Sequence, residues 1–368
     1  MNRFIRHAVL PLLTGLSLLS TASAATAPYR VVEFGTLGGA YSSAMALNNL
    51  GQVVGESVTA DGNTHAFLYS NGKIEDLGKL YGSARGMSIN DKGEVVGRFY
   101  DTEKQNTRAF YYADGVMHDI FGRSTNQYIG NRVPYDINNS GLIVGVATSN
   151  SPTTELRGEM YNSDRSVFTQ WSLITPYAIN DVGQITGMGS VRGTSGAVLI
   201  NDGVASLIPN ALAGYDINES GMVVGRGKDG YAFAWIDGVY SQPAGKAFGG
   251  ESTARAVNDG GDIVGQFFET PVPGYRGWLY TGGQRIDLDT LIDPTAGLVI
   301  VDALDINNAG QILATACASR NSFFGTNCRT VLLDNLPMAP VPEPASLTLM
   351  ALGMLTLAWR RRASRRAD

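Results

Sequence analysis

Ala46-Leu-Asn-Asn-Leu-Gly-Gln-Val-Val-Gly55, ALNNLGQVVG in one-letter code, is written seven times in this chain with small changes. SINDKGEVVG begins at Ser88, DINNSGLIVG at Asp136, AINDVGQITG at Ala178, DINESGMVVG at Asp216, AVNDGGDIVG at Ala256 and DINNAGQILA at Asp305. Every copy holds Asn with Gly three residues later, from Asn48/Gly51 through Asn90/Gly93, Asn138/Gly141, Asn180/Gly183, Asn218/Gly221 and Asn258/Gly261 to Asn307/Gly310. Asn opens a turn by bonding its own backbone, and Gly takes the positive φ that closes it, so each copy is a hairpin corner. Apolar pairs on both sides, such as Ala46-Leu47 and Val53-Val54, supply two strands.

A second strand pair follows in most units, as in His65-Ala-Phe-Leu-Tyr69, a turn at Ser70-Asn-Gly72, then Lys73-Ile-Glu-Asp-Leu77. The plan recurs at Arg108 to Ile120, Gly196 to Leu207, Tyr231 to Val239 and Arg276 to Leu288. Successive corner asparagines are 42, 48, 42, 38, 40 and 49 residues apart, the period of a four-stranded propeller blade. The expected fold is all-β, a seven-bladed β-propeller. An open β-solenoid would need shorter coils.

The last unit has its corner at Asn307 and a third strand at Thr330 to Leu333, but no fourth. Tyr29-Arg-Val-Val-Glu-Phe-Gly-Thr-Leu-Gly-Gly39, ahead of the first corner, reads like a spare fourth strand. An unpaired edge invites aggregation, so the N-terminal strand is expected to complete the last blade. The unit through Gly158 to Ile174 lacks the Ala-Phe pattern and carries Trp171, which predicts an irregular blade.

The ends carry signals of another kind. Arg3 and Arg6, the apolar run Ala8 to Leu19 and Ala22-Ser-Ala24 have the three regions of a secretory signal peptide, with cleavage expected after Ala24. At the other end stand Val341, Pro342, Glu343 and Pro344, an apolar run from Ala345 to Trp359, and Arg360, Arg361, Arg362, Arg365 and Arg366. Those 15 apolar residues would make a helix of about 23 Å against a hydrocarbon core of roughly 30 Å. The expected divisions are residues 1–24 as signal peptide, 25–335 as propeller, 336–344 as a Pro-rich linker and 345–368 as a sorting tail.

That tail resembles the PEP-CTERM sorting signal of Gram-negative bacteria, which implies recognition by an exosortase and release of the tail during export, with signal peptidase the expected partner of the N-terminal signal. It further implies export across the inner membrane to the cell surface or extracellular matrix. The same run would alternatively serve as a retained membrane helix with its basic end in the cytoplasm. The repeats, from Tyr29 to Leu333, are similar to the HAF repeat of bacterial extracellular proteins. His65-Ala66-Phe67 is the namesake triplet, Arg108-Ala-Phe110 and Tyr231-Ala-Phe233 are variants, and Gly35-Thr-Leu-Gly-Gly39 is a typical lead-in. The resemblance speaks of place and architecture and carries no active site. The expected function is a non-enzymatic binding or scaffolding propeller associated with exopolysaccharide, a biofilm or a surface protein, and the PEP-CTERM resemblance supports that location because such proteins go with exopolysaccharide-producing bacteria. A polysaccharide hydrolase or lyase is the alternative.

Of 28 Lys and Arg, seven lie in the two discarded ends; of 33 Asp and Glu, only Asp368 does. The exported body therefore carries 21 basic and 32 acidic groups, a net −11 that is unsuited to phosphate backbones, and nucleic acid is not an expected partner. In an oxidising space Cys317 and Cys328 are expected to pair, a free thiol being the lesser reading.

Catalytic chemistry finds little footing. The body's two histidines, His65 and His118, stand where other units place Arg108 or Ser206, as solvated strand residues. There is no G-x-S-x-G elbow. Asp91, Asp181 and Asp259 interchange with Asn49, Asn139 and Asn308 and are turn formers first. No unit has the alternating carboxylates of a calcium loop, so no metal or cofactor is expected. Ligand contacts are sought where units differ, at Tyr100 to Thr107, Phe121 to Pro134, Asn150 to Arg157 and Thr270 to Tyr275. Tyr128, Tyr135 and Tyr275 in or beside these stretches could stack on sugar rings.

Overall fold

A computed structural model describes residues 28–121, 129–149, 156–164, 168–245, 250–269, 274–319 and 327–335. The expected signal peptide, Tyr128 and the C-terminal tail lie outside the described residues. Seven four-stranded antiparallel sheets make a seven-bladed β-propeller. Blade 1 runs Gly38–Leu47, Val53–Thr59, Thr64–Ser70, Lys73–Gly78, and blade 2 Ala84–Ile89, Val95–Asp101, Asn106–Ala113, Val116–Asp119. Blade 3 is Ile129–Ile137, Ile143–Ser149, Leu156–Tyr161, Phe168–Ser172, and blade 4 Ile174–Ile179, Ile185–Val191, Thr194–Asn201, Val204–Leu207. Blade 5 is Ala211–Ile217, Val223–Gly227, Ala232–Ile236, Val239–Ser241, and blade 6 Ser252–Val257, Ile263–Glu269, Gly274–Thr281, Gln284–Asp287. Blade 7 takes Val299–Ile306, Ile312–Cys317 and Cys328–Asn335, and its outer strand is Tyr29–Glu33 from the opposite end of the chain. Tyr29 pairs with Asn335 and Glu33 with Val331, so the first strand fastens blade 7 to the start of blade 1.

Blade 3 is more regular than its sequence suggests, with Arg157–Tyr161 pairing with Phe168–Ser172 without a shift. Where blades 1, 2 and 5 carry Phe in the third strand it has Glu159, 1 % exposed, which accepts from Arg132 Nε at 3.1 Å and Gln170 Nε2 at 2.7 Å. A satisfied ion pair replaces the aromatic plug, so the ladder survives the missing Ala-Phe pattern. In blade 7 the disulfide joins Cys317 to Cys328, residues that face each other across the ladder.

Each blade buries both faces of its second strand. Val53 packs with Phe67, Leu313 and Leu332 toward blade 7, whereas its neighbour Val54 packs with Val95, Phe99 and Phe110 toward blade 2. Alternate residues of a strand point to opposite faces, so the doublets at the end of each decapeptide feed two inter-blade cores. Burying each such side chain contributes about 1.5–3 kcal/mol.

The innermost strand of every blade slips by one residue at the same place, between Ala44 and Ala46 in blade 1 and between Ala303 and Asp305 in blade 7. The residue squeezed out is Met45, Met87, Tyr135, Tyr177, Tyr215, Arg255 or Leu304. Such a bulge bends the strand and re-aims a side chain. It also explains the glycine that closes six decapeptides: a Cβ on Gly225 would sit 2.0 Å from the Ala213 carbonyl oxygen, and one on Gly97 2.2 Å from that of Arg85. The facing third-strand residue, Phe67 or Phe110, fills the vacated space. Blade 7 has Ala314 there and opposes it with the smaller Val331.

Candidate functional site

The seven innermost strands surround an axial channel, and the decapeptides stack its lining in layers. At one mouth the corner asparagines, 2–5 % exposed, form a closed circuit. Asn48 Nδ2 donates to the Asn90 carbonyl at 2.9 Å, Asn90 to Asn138, Asn138 to Asn180, Asn180 to Asn218, Asn218 to Asn258, Asn258 to Asn307, and Asn307 back to Asn48 at 3.0 Å. Each Oδ1 accepts the backbone N–H four residues on, the turn bond expected of Asn. One side chain thus shapes its own corner and ties it to the next blade.

Outside that circuit lies a second one made by Asn49, Asp91, Asn139, Asp181, Glu219, Asp259 and Asn308. Each backbone N–H donates to the side-chain oxygen of the next residue around, from Asn49 to Asp91 at 2.8 Å through to Asn308 and back to Asn49 at 2.8 Å. Asp91, Asp181 and Asp259 are therefore acceptors between blades. Among the described residues no group of His, Cys, Asp or Glu is placed to hold a metal ion.

Deeper in the channel, Asp136, Asp216 and Asp305 occupy blades 3, 5 and 7, with Ala178, Ala256 and Ala46 in the blades that follow each. Each carboxylate reaches to the following blade: Asp136 Oδ2 accepts from Ile179 N at 2.9 Å, Asp216 Oδ2 from Val257 N at 2.8 Å and Asp305 Oδ2 from Leu47 N at 2.8 Å. Blade 2 is the odd one, and its Ser88 hydroxyl donates to Asp136 at 2.6 Å. The bulge residues form the last layer, where Tyr135 lies edge-on to Tyr177 at 5.4 Å and Tyr177 is 5.8 Å from Tyr215. This cavity is about 280 Å³, with an aromatic wall on one side and Met45, Met87 and Leu304 opposite. Arg255 in the same layer is held by Asp302 at 3.0 Å.

Burial raises the pKa of all three channel carboxyls, Asp216 to about 7 and Asp305 to about 6. The charges of Asp305 and Asp136 push Asp216 further, while backbone N–H bonds oppose the rise. A carboxyl whose folded pKa is raised stabilises the fold at low pH, and that contribution is lost as pH climbs through the folded value. The midpoint of thermal unfolding is therefore expected to fall between pH 5 and pH 8, and Asp216→Asn is expected to flatten that slope. Calorimetry across the range checks both; an unchanged slope in the variant would assign the dependence to other groups.

Of the tyrosines singled out in the sequence, Tyr135 lies in the channel. Tyr275 lies in a blade ladder with its ring 5.1 Å from Phe268. The structure does not bring these two to one site, and Tyr177 and Tyr215, which do accompany Tyr135, were missed. Their signal was the residue just before the decapeptide, Tyr in three successive units. His65 Nδ1 is 2.9 Å from Asp76, matching the pairs Arg108–Asp119 and Arg276–Asp287 in blades 2 and 6. The histidine stands in for an arginine between the third and fourth strands.

Residues 340–362, which contain Val341 to Pro344 and Arg360 to Arg362, match the PEP-CTERM protein-sorting motif. The chain carries a PEP-CTERM sorting signal. That motif implies an exported protein processed by an exosortase. Among the described residues no helix is long and apolar enough to cross a membrane; the apolar run 345–359 lies outside them. Residues 63–234 match the family described as "Protein of unknown function (DUF3466)". A comparison with curated proteins finds no match.

Solved structures resemble the propeller in fold. The beta-propeller domain of the Trilobed protease from Pyrococcus furiosus aligns with a TM-score of 0.53 at 8 % identity, over 83 % of this chain and 100 % of that one. It is described as having an open velcro topology, whereas Tyr29–Glu33 here adds a strand from the other terminus to the last blade. Pyrococcus horikoshii acylaminoacyl peptidase aligns with a TM-score of 0.56 at 11 % identity, over 87 % of this chain and 56 % of that one, so this chain spans little more than half its length.

Proposed function

We propose that this PEP-CTERM protein is a non-enzymatic binding or scaffolding propeller of the cell surface, associated with exopolysaccharide, and that its units are diverged HAF repeats. The observation that carries the reading is how the channel spends its polar groups. Asp136, Asp216 and Asp305 accept backbone N–H groups across blades, the mouth carboxylates do the same, and His65 braces two strands. Groups suited to acid–base work serve as architecture. Binding then falls to the rims, where the units differ, and the sorting signal delivers those rims to the cell surface. The company that PEP-CTERM signals keep with exopolysaccharide-producing bacteria supports exopolysaccharide as the polymer.

Sedimenting exopolysaccharide from the producing organism with the exported protein tests this. Co-sedimentation without new reducing ends is the expected result; release of sugar ends would replace the scaffold by a hydrolase or lyase.

A further inference from the structure

Beside the tyrosine wall, where blades 1 and 2 meet, the innermost strand of blade 2 sets Arg85 directly opposite Arg98 in the ladder. Like charges opposed this way destabilise a sheet. Arg85 is neutralised by Glu56 of blade 1. Arg98 has no ion-pair or hydrogen-bond partner among the described residues, and its charge is felt by Tyr135 in the channel. Both arginines line a cleft of about 230 Å³ with Tyr100, 43 % exposed, the residues Ser83 and Thr107, and Glu56, whose carboxylate is taken up by Arg85. Tyr100 N donates to the Ser83 carbonyl at 3.0 Å and Thr107 N to Asn131 Oδ1 at 2.8 Å, so this frame is fixed before any ligand arrives.

We infer that this cleft binds the carboxylate of an acidic sugar, with the Arg98 guanidinium as its counter-ion and the Tyr100 ring against the sugar face. A guanidinium presents a planar fork of donors matched to a carboxylate, and an aromatic ring offers a flat apolar surface at little entropic cost. The cleft is smaller than the roughly 300 Å³ at which pockets for drug-sized molecules begin, which suits a single sugar residue. The acidic body does not forbid this, because charges beyond about 8 Å are screened at physiological ionic strength. The inference rests on the polysaccharide reading above and names the class of polymer, one containing uronic acids.

The test uses the exported protein and its Arg98→Gln variant, titrated with D-glucuronate and with neutral methyl glucoside and followed by NMR. Glucuronate binding that weakens at least tenfold in the variant, with methyl glucoside silent, is the expected result. Removing an opposed like charge should leave the unfolding midpoint unchanged or raise it, whereas an arginine kept for stability would lower it. Equal binding of the two sugars, or glucuronate binding indifferent to the substitution, would overturn the inference. If both proteins still sediment with exopolysaccharide while glucuronate fails to bind, this cleft is wrong and the scaffold stands. If neither sugar nor polymer binds, both readings fall.

Discussion

Removing the chain through Glu33 is expected to cost on the order of 5 kcal/mol or more, since it withdraws a strand and the buried contacts of Tyr29 and its neighbours. Tyr29 is 8 % exposed, packs with Val331, Leu333 and Ile312, and its hydroxyl donates to the Gly310 carbonyl at 3.0 Å. Five ladder pairs go with it, and the strand Cys328–Asn335 becomes a bare edge. A loss of that size approaches the whole stability of an ordinary domain, and the freed edge is a template for association. Size-exclusion chromatography of residues 25–335 against 34–335 should show a monomer replaced by aggregate. A truncated monomer with an unchanged unfolding midpoint would mean that the first strand is not the fastening.

Asn180→Ala is expected to cost about 3 kcal/mol, although its side chain touches no apolar core. Asn180 is 2 % exposed; it donates to the Asn218 carbonyl at 3.0 Å and to Gln184 Oε1 at 2.9 Å, and accepts from Gln184 N at 2.8 Å. Alanine leaves the Gln184 N–H unpaired in a half-buried corner, which costs about 1–3 kcal/mol beyond the lost bonds themselves. In a domain of this size that corresponds to roughly 6 °C in the unfolding midpoint. Asn49→Ala, next to a corner but exposed to water, should cost less than about 1 kcal/mol. Equal shifts for the two variants, read by calorimetry, would mean the inner circuit adds nothing beyond its own turns.

The architecture was legible because its punctuation repeats. Asn followed by Gly at a period near 43 residues announces corners, and the unmatched strand at Tyr29 announces how blade 7 is completed. What the corner asparagine does with its amide was not legible, because its partner carbonyl lies 38 to 49 residues away in six cases and 259 in the seventh. The channel carboxylates hid for a different reason. Asp136, Asp216 and Asp305 interchange with Ala and Ser in the repeat, as a solvent-facing position would. From blade 3 to blade 7 Asp and Ala in fact alternate, because one carboxylate serves its own blade and the next. Tyr135 was noticed as a loop aromatic, and the bulge that turns it into the channel is invisible to a pattern that assumes strict alternation.

The asparagine circuit runs one way: every amide gives to the blade ahead and every carbonyl receives from the blade behind. A direction of this kind makes the ring a counter. Duplicating one unit inside the gene would leave a donor without a recipient unless the whole circle reopened and widened, whereas rewriting a rim loop disturbs none of the seven links. Such a protein is free to diversify by editing its edges and is held to its number of parts, an asymmetry under which seven unlike units can share one unchanging word.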